Sequence, residues 1–273
     1  MTDAPPTDDG PSPASFGALY KLLGASATYQ QMMGEVFGAG YAAQLSIAAP
    51  ADVRLLARRA GVRAGARVAD LCCGLGGPSL LLAAEYDCTV VAVDWSRQAV
   101  ESCRRSAVVA GLARALRPVV GDVRHLPFAA GAFDSVVSID GFYFGVDLPT
   151  LYAAVWRLLQ PGGCFAFYFD VPAQAVVDAS LPARRAHRQS HRIDHPAALT
   201  VAGFRRVHAE DRTGAQQLLF ERLAAAYDRH FPVLQAEIGP ALAADLRDEV
   251  QQTLDLTAAG LWPRYLFSAR KPA

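Results

Sequence analysis

The hydrophobic positions of the chain follow two different spacings that alternate along its length. Apolar side chains recur about every 3.6 residues in stretches such as ADVRLLARRAGV and RQAVESCRRSAVVAGL, which predicts amphipathic helices. Short apolar runs such as RVADL, CTVVAVD, LRPVVGD, FDSVVSID and CFAFYFD lie between these stretches and predict buried strands. Strands separated by helices of this length predict a parallel, doubly wound α/β sheet with right-handed crossovers.

The C-terminal part of the chain adds helices to this α/β pattern. FRRVHAED and RYLFSARK predict the last two strands, and about fifty residues with helical spacing separate them. We expect a Rossmann-like sheet of about seven strands with N-terminal helices and a helical insertion before the last strand, in one domain over residues 16–273. Its parts are a helical segment (16–60), a core (66–170) and two helical additions (171–200 and 214–261), after a tail expected to be disordered (1–15).

Composition and charge disfavour two classes of partner, nucleic acids and membranes. The 26 basic and 26 acidic residues give no net charge, which disfavours a nucleic-acid partner. No apolar run approaches the length of a membrane span, and the first fifteen residues lack an apolar signal core, so we expect no membrane partner. Five cysteines form an odd set without the spacing of a disulfide framework, which favours a cytoplasmic location.

A glycine-rich loop, VADLCCGLGGPS at residues 68–79, follows the first predicted strand and precedes a helix. Open α/β sheets bind ligands at this position. No Lys precedes Ser79, so the loop is not a phosphate-binding P-loop, and Cys72 replaces the first glycine of a dinucleotide fingerprint. The adjacent Cys72 and Cys73 could form a redox or metal site, but they lack C-x-x-C spacing. Alternatively, both are small residues buried at a strand-loop junction.

The stretch D-x-C-x-G-x-G-G at residues 70–77 resembles motif I of the class I S-adenosylmethionine-dependent methyltransferases. The resemblance continues in order from about Arg54 to Asp170. Asp94 ends the second strand, GDVRHLPF carries Asp122, FDSVVSIDGFYF resembles the fourth strand, and LLQPGGCFAFYF resembles the turn into the fifth. The chain departs from the family at Cys72, where the first glycine usually stands, and we expect the cost of this departure to be small.

The resemblance implies that S-adenosyl-L-methionine binds here and leaves as S-adenosyl-L-homocysteine. The loop would hold the methionine part, Asp94 the two ribose hydroxyls, Asp122 the adenine amino group, and Trp95 would stack on adenine. Asp94 could instead be a helix N-cap, and Trp95 a core aromatic residue. We expect Gly76→Val to abolish cofactor binding by filling the ligand's space while the fold stays largely intact. The implied cofactor-binding residues are Asp70, Cys72, Gly74, Gly76, Asp94, Trp95, Asp122, Val123, Ser138 and Tyr41.

The segment after the fourth strand, SIDGFYFG, indicates the class of acceptor. Nucleic-acid amino methyltransferases that resemble this fold carry an Asn/Asp-Pro-Pro-aromatic motif there, and this chain does not. We therefore expect a small-molecule acceptor, such as a specialised metabolite methylated on N, O or C. Phe142, Tyr143 and Phe144 would form an apolar pocket wall, or they pack in the core.

The resemblance also assigns roles to the helical segments. Residues 16–60 would form a lid over the methionine end of the cofactor, with Tyr41 nearest and Tyr29 and Tyr20 behind it. A plain amphipathic helix packed on the sheet is the alternative. The additions at 171–200 and 214–261 would cap the acceptor. The predicted substrate-binding residues are Phe142, Tyr143, Tyr29 and His195.

His187, His191 and His195 recur every four residues in ARRAHRQSHRIDHP and would share one face of a helix. This stretch could be a solvated basic face, a lid that meets an acceptor, or a metal site. Pro196 disfavours a helix through His195 and so weakens the metal interpretation, and we expect no metal. The candidate general bases are His191, Tyr143 and His187.

The sequence leaves three functions open, of which an NAD oxidoreductase is disfavoured because the loop lacks the dinucleotide fingerprint. The first is methyl transfer to a small molecule by an enzyme that could form a homodimer. The second is a cofactor-binding protein of the same fold that does not transfer methyl, such as a pericyclase or a scaffold.

Overall fold

The strands and helices lie where the hydrophobic spacing predicts them. The computed structural model describes residues 12–38, 41, 46–143, 146–177 and 193–273. The strands are β1 (Arg67–Leu71), β2 (Thr89–Asp94), β3 (Leu116–Val120), β4 (Phe133–Ile139), β5 (Leu159–Asp170), β6 (Arg205–Asp211) and β7 (Arg264–Arg270). The helices are α1 (Pro13–Ala25), α2 (Ala27–Phe37), α3 (Pro50–Arg59), α4 (Gly77–Glu85), α5 (Arg97–Val109), α6 (Leu148–Leu158), α7 (Gln174–Val177), α8 (His195–Val201), α9 (Thr213–Ile238) and α10 (Pro240–Ala258).

One sheet contains the seven strands of the described residues in the order β3-β2-β1-β4-β5-β7-β6. Strands β1 to β5 pair in parallel, so the predicted doubly wound sheet of about seven strands is confirmed. The last strand, β7, runs antiparallel between β5 and β6, a direction that the sequence pattern did not specify. Two long helices, α9 and α10, separate β6 from β7 and pack against each other. A pair of helices returns the chain to the end of the sheet that it left, and β7 therefore runs in the opposite direction.

The N-terminal helices and the insertion share a hydrophobic core of their own. Tyr29, Met32 and Met33 of α2 belong to one buried cluster with Phe220 and Leu223 of α9. We call α1, α2, α9 and α10 together the helical cap. Two other clusters occupy the body of the α/β domain around the strands. The cap is thus a packed unit built from two segments that are distant in sequence.

Carboxylates on α2 and α9 join the two segments of the cap. Glu237 accepts hydrogen bonds from the hydroxyls of Ser26 and Thr28 at 2.6 Å each. Glu35 of α2 accepts hydrogen bonds from Arg229 and His230 on α9 at 3.1 Å. These contacts lie at opposite ends of α2 and fix its register along α9.

The first helix begins earlier than the sequence predicted. Residues 1–15 were expected to form a disordered tail, but α1 starts at Pro13. The Ser12 hydroxyl accepts a hydrogen bond from the Ser15 amide at 3.1 Å, and proline is favoured in the first turn because it has no amide hydrogen to satisfy. Residues 1–11 of the predicted tail lie outside the described part of the chain. Among the described residues, no helix is both long enough and apolar enough to cross a membrane.

A histidine occupies the aromatic core on one face of the sheet. His195 begins α8 and is 1% exposed. Its ring centroid lies 4.7 Å from those of Phe169 and Phe267, and its Nδ1 lies 2.6 Å from the Tyr152 hydroxyl on α6. A buried polar ring needs such a hydrogen bond to offset its desolvation.

Tyr152→Phe tests this buried hydrogen bond. The substitution keeps the ring and removes the hydroxyl bonded to His195, so the free energy of unfolding should fall by about 1–3 kcal/mol. Urea unfolding measures this loss. Tyr86→Phe is the control, because the Tyr86 hydroxyl lies 3.5 Å from the Arg54 carbonyl at the surface, and it should cost less than about 0.5 kcal/mol. Equal losses in the two variants would contradict the assignment.

Candidate active site

A cleft opens at the carboxyl ends of β1, β2 and β4, the position at which open α/β sheets bind ligands. It holds about 590 Å³ of empty space and is open to solvent. Five of the predicted cofactor-binding residues line it: Cys72, Asp94, Trp95, Asp122 and Val123. The cleft is also lined by residues that the motifs did not assign to the cofactor, among them Phe16, Tyr20, Arg124, Asp140, Gly141 and Val146.

The glycine-rich loop is tied to the end of β2. The Gly74 amide donates a hydrogen bond to one Asp94 carboxylate oxygen at 2.9 Å, and the Ser96 amide donates to the other at 2.9 Å. Burial raises the pKa of Asp94, and these two amides oppose the shift. The N-cap of α5 is Ser96, whose hydroxyl accepts from the Ala99 amide. The geometry therefore does not support the alternative that Asp94 is a helix cap.

Cys72 adopts a backbone conformation that favours glycine, with φ of +60°. This explains the family's preference for glycine here, since a side chain in this region costs about 1–2 kcal/mol. Gly141 makes room for the Cys72 side chain, because a Cβ at Gly141 would lie 2.5 Å from the Cys72 Cβ and 2.7 Å from the Ser138 hydroxyl. Ser138 is fully buried beneath the loop and donates to the Leu71 carbonyl at 2.7 Å. It does not line the cleft.

The two adjacent cysteines are packing residues in this geometry. Both are free thiols. Burial raises the pKa of Cys72, and contact with the Cys103 thiol followed by burial raises that of Cys73. Thiols held in the protonated form are poor metal ligands and nucleophiles. Within the described residues, no three His, Cys, Asp or Glu side chains form a group that could hold a metal ion.

Gly76 faces the neighbouring helix rather than the cleft. It caps α4 with φ of +86°, and a Cβ there would collide with the Sγ and Cβ of Cys103 on α5. The expectation that Gly76→Val leaves the fold intact and only fills ligand space is therefore wrong. A side chain at Gly76 would instead separate α4 from α5.

Comparing Gly76→Ala with Gly74→Ala tests this correction. Both glycines have positive φ, so each substitution should cost about 1 kcal/mol of backbone strain. A Cβ at Gly74 would lie 3.3 Å from the flexible end of Tyr20, whereas one at Gly76 overlaps Cys103. We expect Gly76→Ala to lower the free energy of unfolding by about 1–3 kcal/mol more than Gly74→Ala does, measured in urea. If the two losses are equal, Gly76 is not a packing glycine.

An ion pair between Asp122 and Arg124 lines the cleft. Arg124 donates to both carboxylate oxygens of Asp122, from Nε to Oδ1 at 3.0 Å and from Nη2 to Oδ2 at 2.5 Å. Hydrogen bonds from Arg124 hold the pKa of Asp122 below its usual value. The motif GDVRHLPF contains both residues, but only Asp122 was assigned from it. The pairing orients the carboxylate at the position where the adenine contact is predicted.

Helix α1 covers part of the cleft. Phe16 lies with its ring centroid 6.1 Å from that of Trp95, and Tyr20 lies next to Gly74. Burial, followed by the charge of Asp94, raises the pKa of Tyr20. Helix α1 also packs closely against α5 at Gly17, where a Cβ would overlap the Gln98 side chain.

The other lid tyrosines do not line the cleft. Tyr41 stacks on Phe37 at 6.1 Å, and burial raises the pKa of Tyr41 to about 12. Tyr29 is 5% exposed within the core of the cap. The roles predicted for Tyr41 and Tyr29 stay predictions, and the geometry favours structural packing for Tyr29.

The residues predicted near the acceptor are mostly buried. Phe142 is fully buried against Phe165 and Phe167, which favours core packing. The Tyr143 hydroxyl accepts a hydrogen bond from the Asp170 amide at 2.9 Å. His195 lies in the aromatic core. Phe144, His187 and His191 lie outside the described residues.

Asp70 is a buried acid beneath the glycine-rich loop. It is 2% exposed, and its Oδ2 lies 2.5 Å from the Ser79 hydroxyl. Burial raises the pKa of Asp70 to about 7, and the bond from Ser79 only partly opposes this shift. The folded protein therefore holds a proton on Asp70 at pH values where the unfolded chain has lost it.

Because of this difference, Asp70 should lower the free energy of unfolding as pH rises, and Asp70→Asn should remove this pH dependence. Between about pH 4 and 7 the folded state binds one more proton at Asp70 than the unfolded state, so its contribution to stability falls as pH rises, by at most about 1.4 kcal/mol per unit. Asn carries no titratable proton and can still accept from Ser79. The free energy of unfolding of Asp70→Asn minus that of the native protein should therefore rise from pH 5 to 7 and then level off. A difference that stays constant in urea titrations across this range would refute the assignment.

Residues 68–163 match the sequence model of a family described as a methyltransferase domain. A sterol 24-C-methyltransferase from Schizosaccharomyces pombe is 33% identical over 130 residues, which are 48% of this chain and 34% of that protein. The sterol 24-C-methyltransferase of Aspergillus fumigatus is 31% identical over 57% of this chain and 44% of that protein. The chain thus spans less than half the length of these curated relatives. Methyltransferase GfsG from Streptomyces halstedii is 28% identical over 67% of this chain and 68% of that protein.

Solved structures share the fold over most of the chain. Phosphoethanolamine N-methyltransferase 2 of Haemonchus contortus, in complex with S-adenosyl-L-methionine, has a TM-score of 0.77 at 19% identity over 95% of this chain and 60% of that one. The cyclase SpnF has a TM-score of 0.73 at 20% identity over 97% of this chain and 98% of its own. These likenesses concern the fold alone.

The domain, its motifs and its cleft together define a class of protein. The match of residues 68–163 to the methyltransferase-domain family and the methyltransferase relatives support a class I S-adenosylmethionine-dependent methyltransferase. The resemblance indicated by the sequence motifs is confirmed.

Proposed function

We propose that the protein transfers the methyl group of S-adenosyl-L-methionine to a small-molecule acceptor. The observation that carries this proposal is the cleft at the carboxyl edge of the sheet. Two carboxylates, Asp94 at the end of β2 and Asp122 just after β3, line it beside Trp95 and Cys72 of the glycine-rich loop. The motif order that resembles the family supplies the same residues.

The residues of the cleft fit the proposed cofactor. Gly74 presents backbone without a Cβ, which lets a ligand approach the loop closely. Asp94 keeps acceptor capacity beyond its two amide bonds, since a carboxylate has about four lone-pair sites, and a ribose diol is a suitable donor. Trp95 and Phe16 provide apolar faces for an adenine ring. When bound, the cofactor would supply an electrophilic methyl group on sulfur.

The protein's own contribution would be orientation of the acceptor and exclusion of water. The carboxylates that line the cleft are already engaged, Asp94 by amides, Asp122 by Arg124 and Asp140 by Arg264. The Tyr143 hydroxyl is held by the Asp170 amide. An acceptor that is already nucleophilic needs no base, and any base would come from His187 or His191.

The relatives support a small-molecule acceptor without selecting one. Their names include sterol and phosphoethanolamine methyltransferases, which differ in the atom that they methylate. A specialised metabolite, the atom N, O or C, a cytoplasmic location and a homodimer stay predictions. The similarity to SpnF keeps the non-methylating alternative testable, but the curated relatives favour methyl transfer.

Calorimetric titration with S-adenosyl-L-methionine and with S-adenosyl-L-homocysteine tests the cofactor. We expect micromolar binding of both, about −8 kcal/mol. Asp94→Asn should weaken binding at least tenfold, since it removes the charge that accepts from the loop and the proposed ribose contact. Asp134→Asn is the control, because Asp134 lies at the opposite end of β4 from the cleft. This variant should bind both ligands as the native protein does.

Two outcomes would contradict the proposal. If neither ligand binds the native protein, the cofactor assignment fails. If a product forms from a screened acceptor without uptake of a labelled methyl group and with the cofactor unspent, the non-methylating alternative is correct.

A further inference from the structure

A buried ion cluster lies beside the cleft and was not identified from the sequence. Arg264, the first residue of β7, has a side chain that is 4% exposed. Its Nη1 lies 2.6 Å from Asp140 Oδ1 and 2.9 Å from Asp170 Oδ1, and its Nη2 lies 3.1 Å from Asp140 Oδ2. A guanidinium group can bridge two carboxylates in this way because its donors diverge from a rigid plane. The cluster joins the carboxyl ends of β4 and β5 to the start of β7.

The same cluster also bonds to Ile47, which precedes α3, and to α9 of the cap. The Ile47 amide donates to Asp140 Oδ2 at 3.2 Å, and Arg264 Nη2 donates to the Ile47 carbonyl at 3.4 Å. Ile47 lies between α2 of the cap and α3 of the core. Gln216 of α9 donates to Asp170 Oδ1 at 3.2 Å. The cluster is therefore bonded directly to α9 of the cap, and α9 shares the core of the cap with α1 and α2.

Asp140 links the cluster to the cleft. It lines the cleft next to Gly141 and has φ of +56°, a strained conformation for a residue with a side chain. Such strain persists only where surrounding contacts hold the residue in place. Arg264 and Ile47 provide these contacts. The carboxylate is thus fixed between the ligand cleft and the joint of the cap.

The cap in turn covers the cleft through Phe16 and Tyr20 of α1. We propose that Asp140 and Arg264 form a latch that holds the helical cap closed over the bound cofactor, with Asp140 as a positioning residue that slows cofactor release. This inference rests on the proposed function for the identity of the ligand. The latch acts on the rate at which the cap opens, because its charged hydrogen bonds break before α1 can leave the cleft.

Asp140→Asn tests the latch with little change of shape. Asn can still accept from Ile47 and from one Arg264 nitrogen, but the charge that makes these hydrogen bonds strong is lost. We expect S-adenosyl-L-homocysteine to dissociate about tenfold faster, with a smaller change in the association rate, in surface plasmon resonance on the full chain. Hydrogen exchange at the Ile47 amide should also become faster.

Asp134→Asn provides a matched control on the same strand. Asp134 accepts from the Arg67 amide at 2.9 Å and pairs with Arg63, and its side chain is 16% exposed compared with 13% for Asp140. It lies at the amino end of β4, away from the cleft. We expect a small loss of thermal stability and no change in the dissociation rate, which separates the latch from a general structural role.

Arg264→Lys is the second variant, in case Asp140→Asn does not fold. Lys keeps a positive charge beside Asp170, but its single nitrogen has three donors and cannot replace the four hydrogen bonds that Arg264 makes from two nitrogens, so dissociation should again be faster. The latch is refuted if dissociation changes less than twofold in the folded variants, or if Asp134→Asn accelerates it equally. If the native protein binds no S-adenosyl-L-homocysteine, the proposed function fails, and hydrogen exchange at the amides of α1 in the unliganded variants still decides whether the latch holds the cap.

Discussion

The hydrogen bond from the Gly74 amide to Asp94 is the contact on which the cleft depends. It ties the loop after β1 to the end of β2, so the loop can turn only in the left-handed conformation that Gly74 adopts. The same bond fixes the carboxylate at the cleft wall, where Trp95 follows it. The loop, the acid and the aromatic side chain are therefore positioned together, and a change in one displaces the others. Helix α1 then covers this arrangement by placing Tyr20 against the loop.

This arrangement concentrates negative charge at one edge of the sheet. Asp70 and Asp94 are both buried there, and burial raises the pKa of each. A third acid at this edge, Asp140, is paired with Arg264. A cluster of partly desolvated carboxylates disfavours the free state, and a ligand that carries positive charge would relieve the repulsion. The proposed cofactor has a sulfonium and an ammonium group, so its binding and the stability of this edge should be coupled through the same charges.

The sequence predicted the elements of the fold well because their signals are local. Each of the seven strands was located from its apolar run, and glycine and proline marked most of the ends. The direction of β7 was missed, since it depends on how α9 and α10 return the chain and not on any residue in the strand. The motifs also located five residues of the cleft wall, because each stands at the end of a predicted strand or in the loop that follows it.

The sequence did not reveal which residues from distant segments pack against or bond to each other. Cys72 is accommodated by Gly141, Gly76 makes room for Cys103, and Asp140 is held by Arg264, which lies 124 positions away. Each of these residues is ordinary in its own segment, so a single sequence contains no sign of the pairing.

The cap also depends on contacts between residues that are distant in sequence, because its core joins the N-terminal helices to the insertion before β7. Its contacts with the cleft come from α1, and the ion cluster joins it to the carboxyl edge of the sheet. The rest of its surface can therefore change while the cofactor loop stays the same. The family match likewise covers residues 68–163 and does not extend into the cap.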